Sequence, residues 1–212
     1  MATYASIRHN FPVVGATTST QIGAGVMTLI KSIDASSSAT ISFVDGASSV
    51  VLDSTYKTYI FKFYDIHPAT DEAYFSFNLS VDGGSNYNVT KTSSFFRAYH
   101  FEDDSAAAVA YETGYDQAQS TAFHALNEAG ISNDNDASLS GSLTLFNPSS
   151  TTFVKHFMAN TDALRGSGSP SPLAINNFIG GYGNTTSAVD AVQFKMESGN
   201  IDDGTIKLYG IA

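Results

Sequence analysis

From Thr186 to Ile211 the chain reads TSAVDAVQFKMESGNIDDGTIKLYGI, and this stretch constrains the fold more than any other. Val192, Phe194 and Met196 alternate with Gln193 and Lys195. Beyond Ser198-Gly199-Asn200, Ile206 and Leu208 alternate with Lys207 and Tyr209. Successive side chains of a strand point to opposite faces, so such alternation gives each run one apolar and one wet face. The Gly/Asn/Asp turn between them predicts a closing β-hairpin. A sheet with one apolar face buries it against a second layer, which points to an antiparallel β-sandwich.

The same rhythm recurs upstream. Met27 to Ile33 and Ala39 to Val44 read as strands, the second with Ala39, Ile41 and Phe43 on one face. Tyr56 to Ile66 opposes Tyr59, Phe61 and Phe63 to Ile60, Lys62 and Tyr64, which suits a central strand, and His67-Pro68 stops it. Tyr74 to Val81 aligns Phe75, Phe77, Leu79 and Val81 ahead of Asp82-Gly83-Gly84, and Ser94 to Phe101 is expected to pair with it across that turn. Strands resume at Ser138 to Phe146, Thr152 to Met158 and Ile175 to Gly181, with the turn-rich Gly166 to Pro172 between the last two. Asp103 to Asp136 interrupts the rhythm. Its Ala-rich run and its Gln117 to Ala129 stretch predict a partly helical insertion, since a structureless loop this long is unusual in a compact domain. About ten strands at short spacing give an all-β class and a jelly-roll-like sandwich over residues 26–212. Residues 1–25 show no sustained period and read as an N-terminal attachment arm, with Tyr4, Ile7, Phe11 and Val13 as its partner-binding positions.

Composition narrows the function. The 212 residues suffice for one large core without staples, and the absence of cysteine removes disulfides, thiolate metal sites and a cysteine nucleophile. Charged residues make up 14% of the chain against about 25% in typical soluble domains. Twenty acidic and ten basic residues give a formal net charge of −10, with no basic cluster, so nucleic-acid binding is not expected. No window of about 18 apolar residues is present, so no membrane-spanning helix is expected. The N-terminus lacks a signal-peptide pattern, which implies synthesis in the cytoplasm without secretion by that route.

Candidate chemistry is sparse. Asn133-Asp-Asn-Asp136 is the densest set of oxygen ligands, making Asp134 and Asp136 the candidate calcium ligands, with Asp103 and Asp104 as additional ones. An EF-hand counted from Asp134 would need Gly at Leu139 and Glu at Leu145, and a solvated turn is the commoner fate of such a run. His9, His67, His100, His124 and His156 form no close metal-ligand spacing. Glu72, Glu102, Glu112, Glu128 and Glu197 form no strand cluster of the glycosidase kind. The aromatic sets Tyr56, Tyr59, Tyr64 and Phe95, Phe96, Tyr99, Phe101 read mainly as core, with wet-face members such as Tyr64 and Tyr209 as plausible contacts. The chain is expected to be non-enzymatic, without a cofactor.

The motifs Thr28-Leu-Ile-Lys31, Ser37-Ser-Ala-Thr-Ile-Ser-Phe-Val-Asp-Gly46, Ile66-His-Pro-Ala69, Ser94-Phe-Phe-Arg-Ala-Tyr-His100, Leu145-Phe-Asn-Pro-Ser-Ser150 and Ser198-Gly-Asn-Ile-Asp-Asp-Gly-Thr-Ile-Lys-Leu-Tyr-Gly-Ile211 together resemble a family of virion structural proteins. That family is encoded by tailed bacteriophages of marine and aquatic bacteria, cyanophages among them. The resemblance spans about residues 26–211. It implies a fibre-like or decorating virion protein made in the host cytoplasm and joined to other capsid or tail proteins. Within that class, capsid decoration through the short arm is the first expectation. A tail fibre or adhesin that binds a host-surface glycan is the alternative, and a polysaccharide-degrading enzyme a remote one. Assembly is expected to be symmetric, as a homotrimer.

Overall fold

The computed structural model describes residues 26–165 and 172–212. The arm expected at 1–25, with Tyr4, Ile7, Phe11 and Val13, lies outside the described residues, as does most of the Gly166 to Pro172 turn.

Among the described residues twelve strands are formed: β1 (Met27–Asp34), β2 (Ile41–Val44), β3 (Thr58–Pro68), β4 (Phe75–Ser80), β5 (Lys91–Phe101), β6 (Ala107–Tyr111), β7 (His124–Ala125), β8 (Leu139–Phe146), β9 (Lys155–Arg165), β10 (Leu173–Gly183), β11 (Ala191–Met196) and β12 (Ile201–Ile211). They make two antiparallel sheets. The large one has eight strands in the order β1-β12-β3-β8-β9-β10-β5-β6, the small one four in the order β2-β11-β4-β7. The chain is all-β, and no helix among the described residues is long and apolar enough to cross a membrane.

The sheets meet through the residues whose alternation is legible in the sequence. Tyr59, Phe61 and Phe63 of β3, Leu139, Leu143 and Leu145 of β8, and Ile206 and Leu208 of β12 point inward and are buried. Facing them are Phe43, Phe75, Phe77, Val192 and Phe194 of the small sheet. Phe194 is the hub: its ring lies 5.2 Å from Phe61, 5.3 Å from Phe63, 5.7 Å from Phe75 and 6.2 Å from Phe43. Most of these contacts are edge-to-face, the arrangement favoured by the aromatic quadrupole. As expected, β3 is central, between β12 and β8. A bulge near Asp65 then shifts its phase by one residue, so that Ile66 turns inward where strict alternation would have exposed it.

Three expectations need correction. The closing stretch is not a hairpin: β11 pairs with β2 and β4, whereas β12 pairs with β1 and β3, so the Ser198 to Asn200 turn carries the chain from the small sheet to the large one. Both strands already have two neighbours, and their apolar faces oppose each other across the core instead of lying side by side. Likewise β4 and β5 do not pair. β4 joins β11 and β7, and β5 joins β10 and β6. Finally, Gln117 to Ala129 contains no helix. Its polar groups are claimed by the sheets: His124 and Ala125 form a short strand on β4, Asn127 Oδ1 accepts from the Phe75 amide at 2.8 Å, and the Leu126 amide donates to the Phe75 carbonyl at 2.7 Å. Helical hydrogen bonding would have to break all of these, and Ala129, with φ of 56°, lies outside the right-handed region.

Candidate functional site

Four strands cannot cover eight. The inner face of β9, β10 and β5 is roofed instead by residues 112–132, which fold down against it. Leu126 and Ile131 of this segment are fully buried, and the Tyr115 ring packs 5.6 Å from both Phe95 and Tyr74. The segment carries many backbone polar groups, and a buried polar group must find a partner. The inner face accordingly turns polar there. Asn177 Oδ1 accepts from the Glu128 amide at 2.9 Å, Thr161 Oγ1 donates to the Leu126 carbonyl at 2.5 Å, and Gln117 bridges to the Ala122 and Phe123 carbonyls. Arg97 Nε lies 2.7 Å from Glu112 Oε1, and its Nη1 donates to Glu128 Oε2. Glu112 and Glu128, distant in sequence, are thus brought to one guanidinium. Burial raises the Glu128 pKa, and the nearby Arg97 charge opposes that rise.

Ser93 and His124 form a second tie. Ser93 Oγ lies 2.6 Å from His124 Nε2, and His124 Nδ1 lies 2.6 Å from the Ala125 carbonyl. A carbonyl only accepts, so Nδ1 carries the proton and Nε2 accepts from the serine hydroxyl. Burial among Phe77, Phe95 and Phe157 pushes the imidazole pKa down to about 4, so the ring is neutral at pH 7. This is the spacing of an activated nucleophile. Its setting is structural, however: His124 is fully buried, and the amide of Gln117 already donates to Ser93 Oγ at 3.0 Å. Nothing in the sequence spacing of Ser93 and His124 announced the contact.

The candidate metal ligands do not converge. Asp134 Oδ2 accepts from Ser132 Oγ at 2.9 Å, and its carbonyl lies 3.2 Å from His67 Nε2. Asp136 lines an open groove with Asp65, His67, Asp202 and Asp203. In the β5–β6 turn, Asp103 accepts from the Ser105 amide at 3.0 Å and Asp104 lies 3.0 Å from His100 Nε2. Among the described residues no three or more His, Asp or Glu side chains are grouped to hold a metal ion.

What the fold does offer is an open face. The register places Phe146 of β8, Met158 of β9, Phe178 of β10, Phe96 of β5, and Val109 and Tyr111 of β6 on the outer side of the large sheet. They are 37%, 60%, 38%, 41%, 75% and 54% exposed. Phe96 and Phe178 stack at 5.1 Å with their planes 10° apart, flooring a shallow groove of about 460 Å³. Tyr64, expected as a contact, lies on the same outer face two strands from Met158, with Lys207 Nζ 5.0 Å from its ring centroid. Tyr209 is half-buried there, while Tyr56, Tyr59 and Phe95 point into the core. The Phe95-Phe96 pair contained the signal for this face, since adjacent residues of a strand cannot both point inward. No family model, curated protein or solved structure matches the chain.

Proposed function

We propose that this chain is a non-enzymatic structural protein of the phage virion surface, a capsid decoration or accessory subunit attached through residues 1–25. The observation that carries the proposal is the contrast between its two kinds of polar and apolar surface. The buried His124 and the half-buried Ser93, Arg97, Glu112 and Glu128 at the roofing segment are spent on one another, whereas a broad apolar face is left outside. Exposed apolar patches of this extent mark interaction surfaces.

The strand order supports a jelly-roll winding beneath this function. With the β5–β6 and β9–β10 hairpins set aside, the remaining eight strands, counted along the chain, lie in the orders 1-8-3-6 and 2-7-4-5. That is the interleaving of two Greek keys wound together, common in capsid and lectin domains. The motif set between residues 26 and 211 supports the virion assignment. The alternative, a host-binding adhesin, draws on the exposed Phe96–Phe178 stack, a surface on which a sugar ring could lie.

Reconstruction of virions that carry this chain tests the proposal. Density for the sandwich on the shell, reached by residues 1–25, is the expected result. Density at a tail tip together with selective glycan binding supports the adhesin, and absence of the chain from purified particles overturns both.

A further inference from the structure

The outer face of β8, β9, β10, β5 and β6 is nearly free of charge. Its outward residues in the middle of the face include Thr144, Phe146, Met158, Phe178, Phe96 and Val109, and the charges stand at its rim: Lys62 of β3 beside Ser142, Asp116 accepting from the Tyr111 hydroxyl at 2.7 Å, and Asp162 toward one end. On a chain with 20 acidic residues and a net charge of −10, this is an unusual absence. A cationic or anionic partner would find charge to pair with only at the rim. A neutral, flat, pleated apolar surface would.

We infer that this face is covered by a second copy of the same chain, sheet packed on sheet. Three observations carry this. First, two molecules of charge −10 repel over most of their surfaces, and the neutral face is where two copies can meet without placing carboxylate against carboxylate. Second, the face has the size a stable contact needs. Five strands of 8, 11, 11, 11 and 5 residues, about 4.8 Å apart and rising about 3.4 Å per residue, cover roughly 750 Å², near the ~800 Å² per partner of a standard interface. Third, its composition is that of an interface centre: aromatic rings and Met158 ringed by Ser, Thr and Asn, with lysine, aspartate and glutamate absent from the middle. The inference deepens the structural-protein reading and rests on it only for the expectation that the chain self-associates.

Sedimentation of the full chain, combined with methionine oxidation, tests it. The wild type is expected to sediment as an oligomer at micromolar concentrations. In that oligomer Met158, 60% exposed in one copy, resists peroxide, and dilution to the monomer makes it oxidise at least tenfold faster; Met196, 2% exposed, stays protected throughout. Met158→Lys and, independently, Val109→Lys should each weaken association at least tenfold with unchanged circular dichroism and, at dilutions where all are monomeric, an unchanged melting temperature, since both side chains stand outside the core. A monomer with freely oxidised Met158 overturns the inference. So does a monomer with protected Met158, which would mean residues 1–25 of the same chain cover the face. An oligomer indifferent to both lysine variants also overturns it. Presence or absence of the chain in purified virions, measured separately, decides the structural-protein reading whatever the sedimentation result.

Discussion

Lys91 and Lys155 stand on either side of Gly183 on the inner face of the large sheet, each paired directly with that glycine and each fully buried. Neither forms an ion pair among the described residues. Lys91 Nζ donates to Asn78 Oδ1 at 2.6 Å and to the Val89 carbonyl at 3.0 Å, and Lys155 Nζ donates to the Phe153 and Thr185 carbonyls at 2.7 and 3.2 Å. Two acceptors are what a neutral amine, with its two N–H groups, can satisfy. Burial pushes the Lys91 pKa down to about 7 and lowers that of Lys155 as well.

The pH dependence follows from that depression. Above pH 7 the folded chain has released the Lys91 proton while the unfolded chain keeps it, so stability rises with pH until the ordinary lysine pKa is reached. Between pH 7 and 9.5 the gain from Lys91 is about 3 kcal/mol. Urea titrations across that window should show it, and Lys91→Met should flatten most of the slope. A wild-type slope equal to that of the variant would show that the amine stays charged in the fold.

His124 acts in the opposite pH range. Its folded pKa of about 4 lies below the unfolded value near 6.5, so protonation opposes folding as pH falls through that window, by about 3 kcal/mol at the lower end. Nitrogen-15 NMR should find one neutral tautomer, protonated at Nδ1, from pH 7 down to pH 5. An imidazole midpoint at 6 or above would contradict the closed Ser93–His124–Ala125 tie.

Much of the fold was legible because alternation survives wherever one face is apolar. Leu139, Leu143 and Leu145, or Phe75, Phe77 and Leu79, announce both strand and face. Which sheet a strand joins was not legible. Val192-Phe194-Met196 and Ile206-Leu208 alternate identically whether the strands lie side by side or oppose each other across a core, and long-range pairing alone decides between them. β9 runs past its expected end at Met158 because its inner positions there include Thr161, a polar residue that serves the roofing segment and erases the apolar period. Lys91 and Lys155 look like solvated strand ends, yet each is in phase with an inward phenylalanine, Phe95 and Phe157. That phase was the available signal.

Gly204 marks the place where β12 and β3 bulge against each other. Its φ is +114°, and a Cβ there would stand 2.6 Å from the Asp65 carbonyl oxygen and 2.8 Å from Ile66 Cα. Both obstacles are backbone, and Asp65 itself has φ of 51°. Gly204→Ala should therefore destabilise the fold by about 3 kcal/mol or more, of which strained dihedrals account for 1–3. A chemical denaturation curve shifted by less than about 1 kcal/mol would show that the paired bulge relaxes freely.

Phe194 touches four other phenylalanine rings from both sheets, so its removal should weaken the joint between layers more than any outer-face change. Phe194→Ala is expected to cost about 3–5 kcal/mol. Comparison with Met158→Lys in the same denaturation assay gives the contrast: near-zero for the surface variant if the chain is studied as a monomer, several kcal/mol for the core one.

Arg97 holds the roofing segment at both ends, since Glu112 opens it and Glu128 lies near its close. The guanidinium is 22% exposed, between the regime where ion pairs contribute little and the one where breaking them costs 3–5 kcal/mol, so a loss of about 2 kcal/mol is expected for Arg97→Met. The loss should be local. The sandwich core around Phe194 does not touch this residue, whereas residues 112–132 depend on it together with the Asn177 and Thr161 ties. Brief chymotrypsin digestion should cut the variant at Tyr115 and Phe123 at least tenfold faster than the wild type, with the melting temperature lowered by only a few degrees. Glu128→Gln, which keeps the shape but removes the charge, should fall between the two. If Arg97→Met leaves both sites as resistant as before, the segment is held by its burial and backbone hydrogen bonds alone, and the two carboxylates are free of any duty in clamping it.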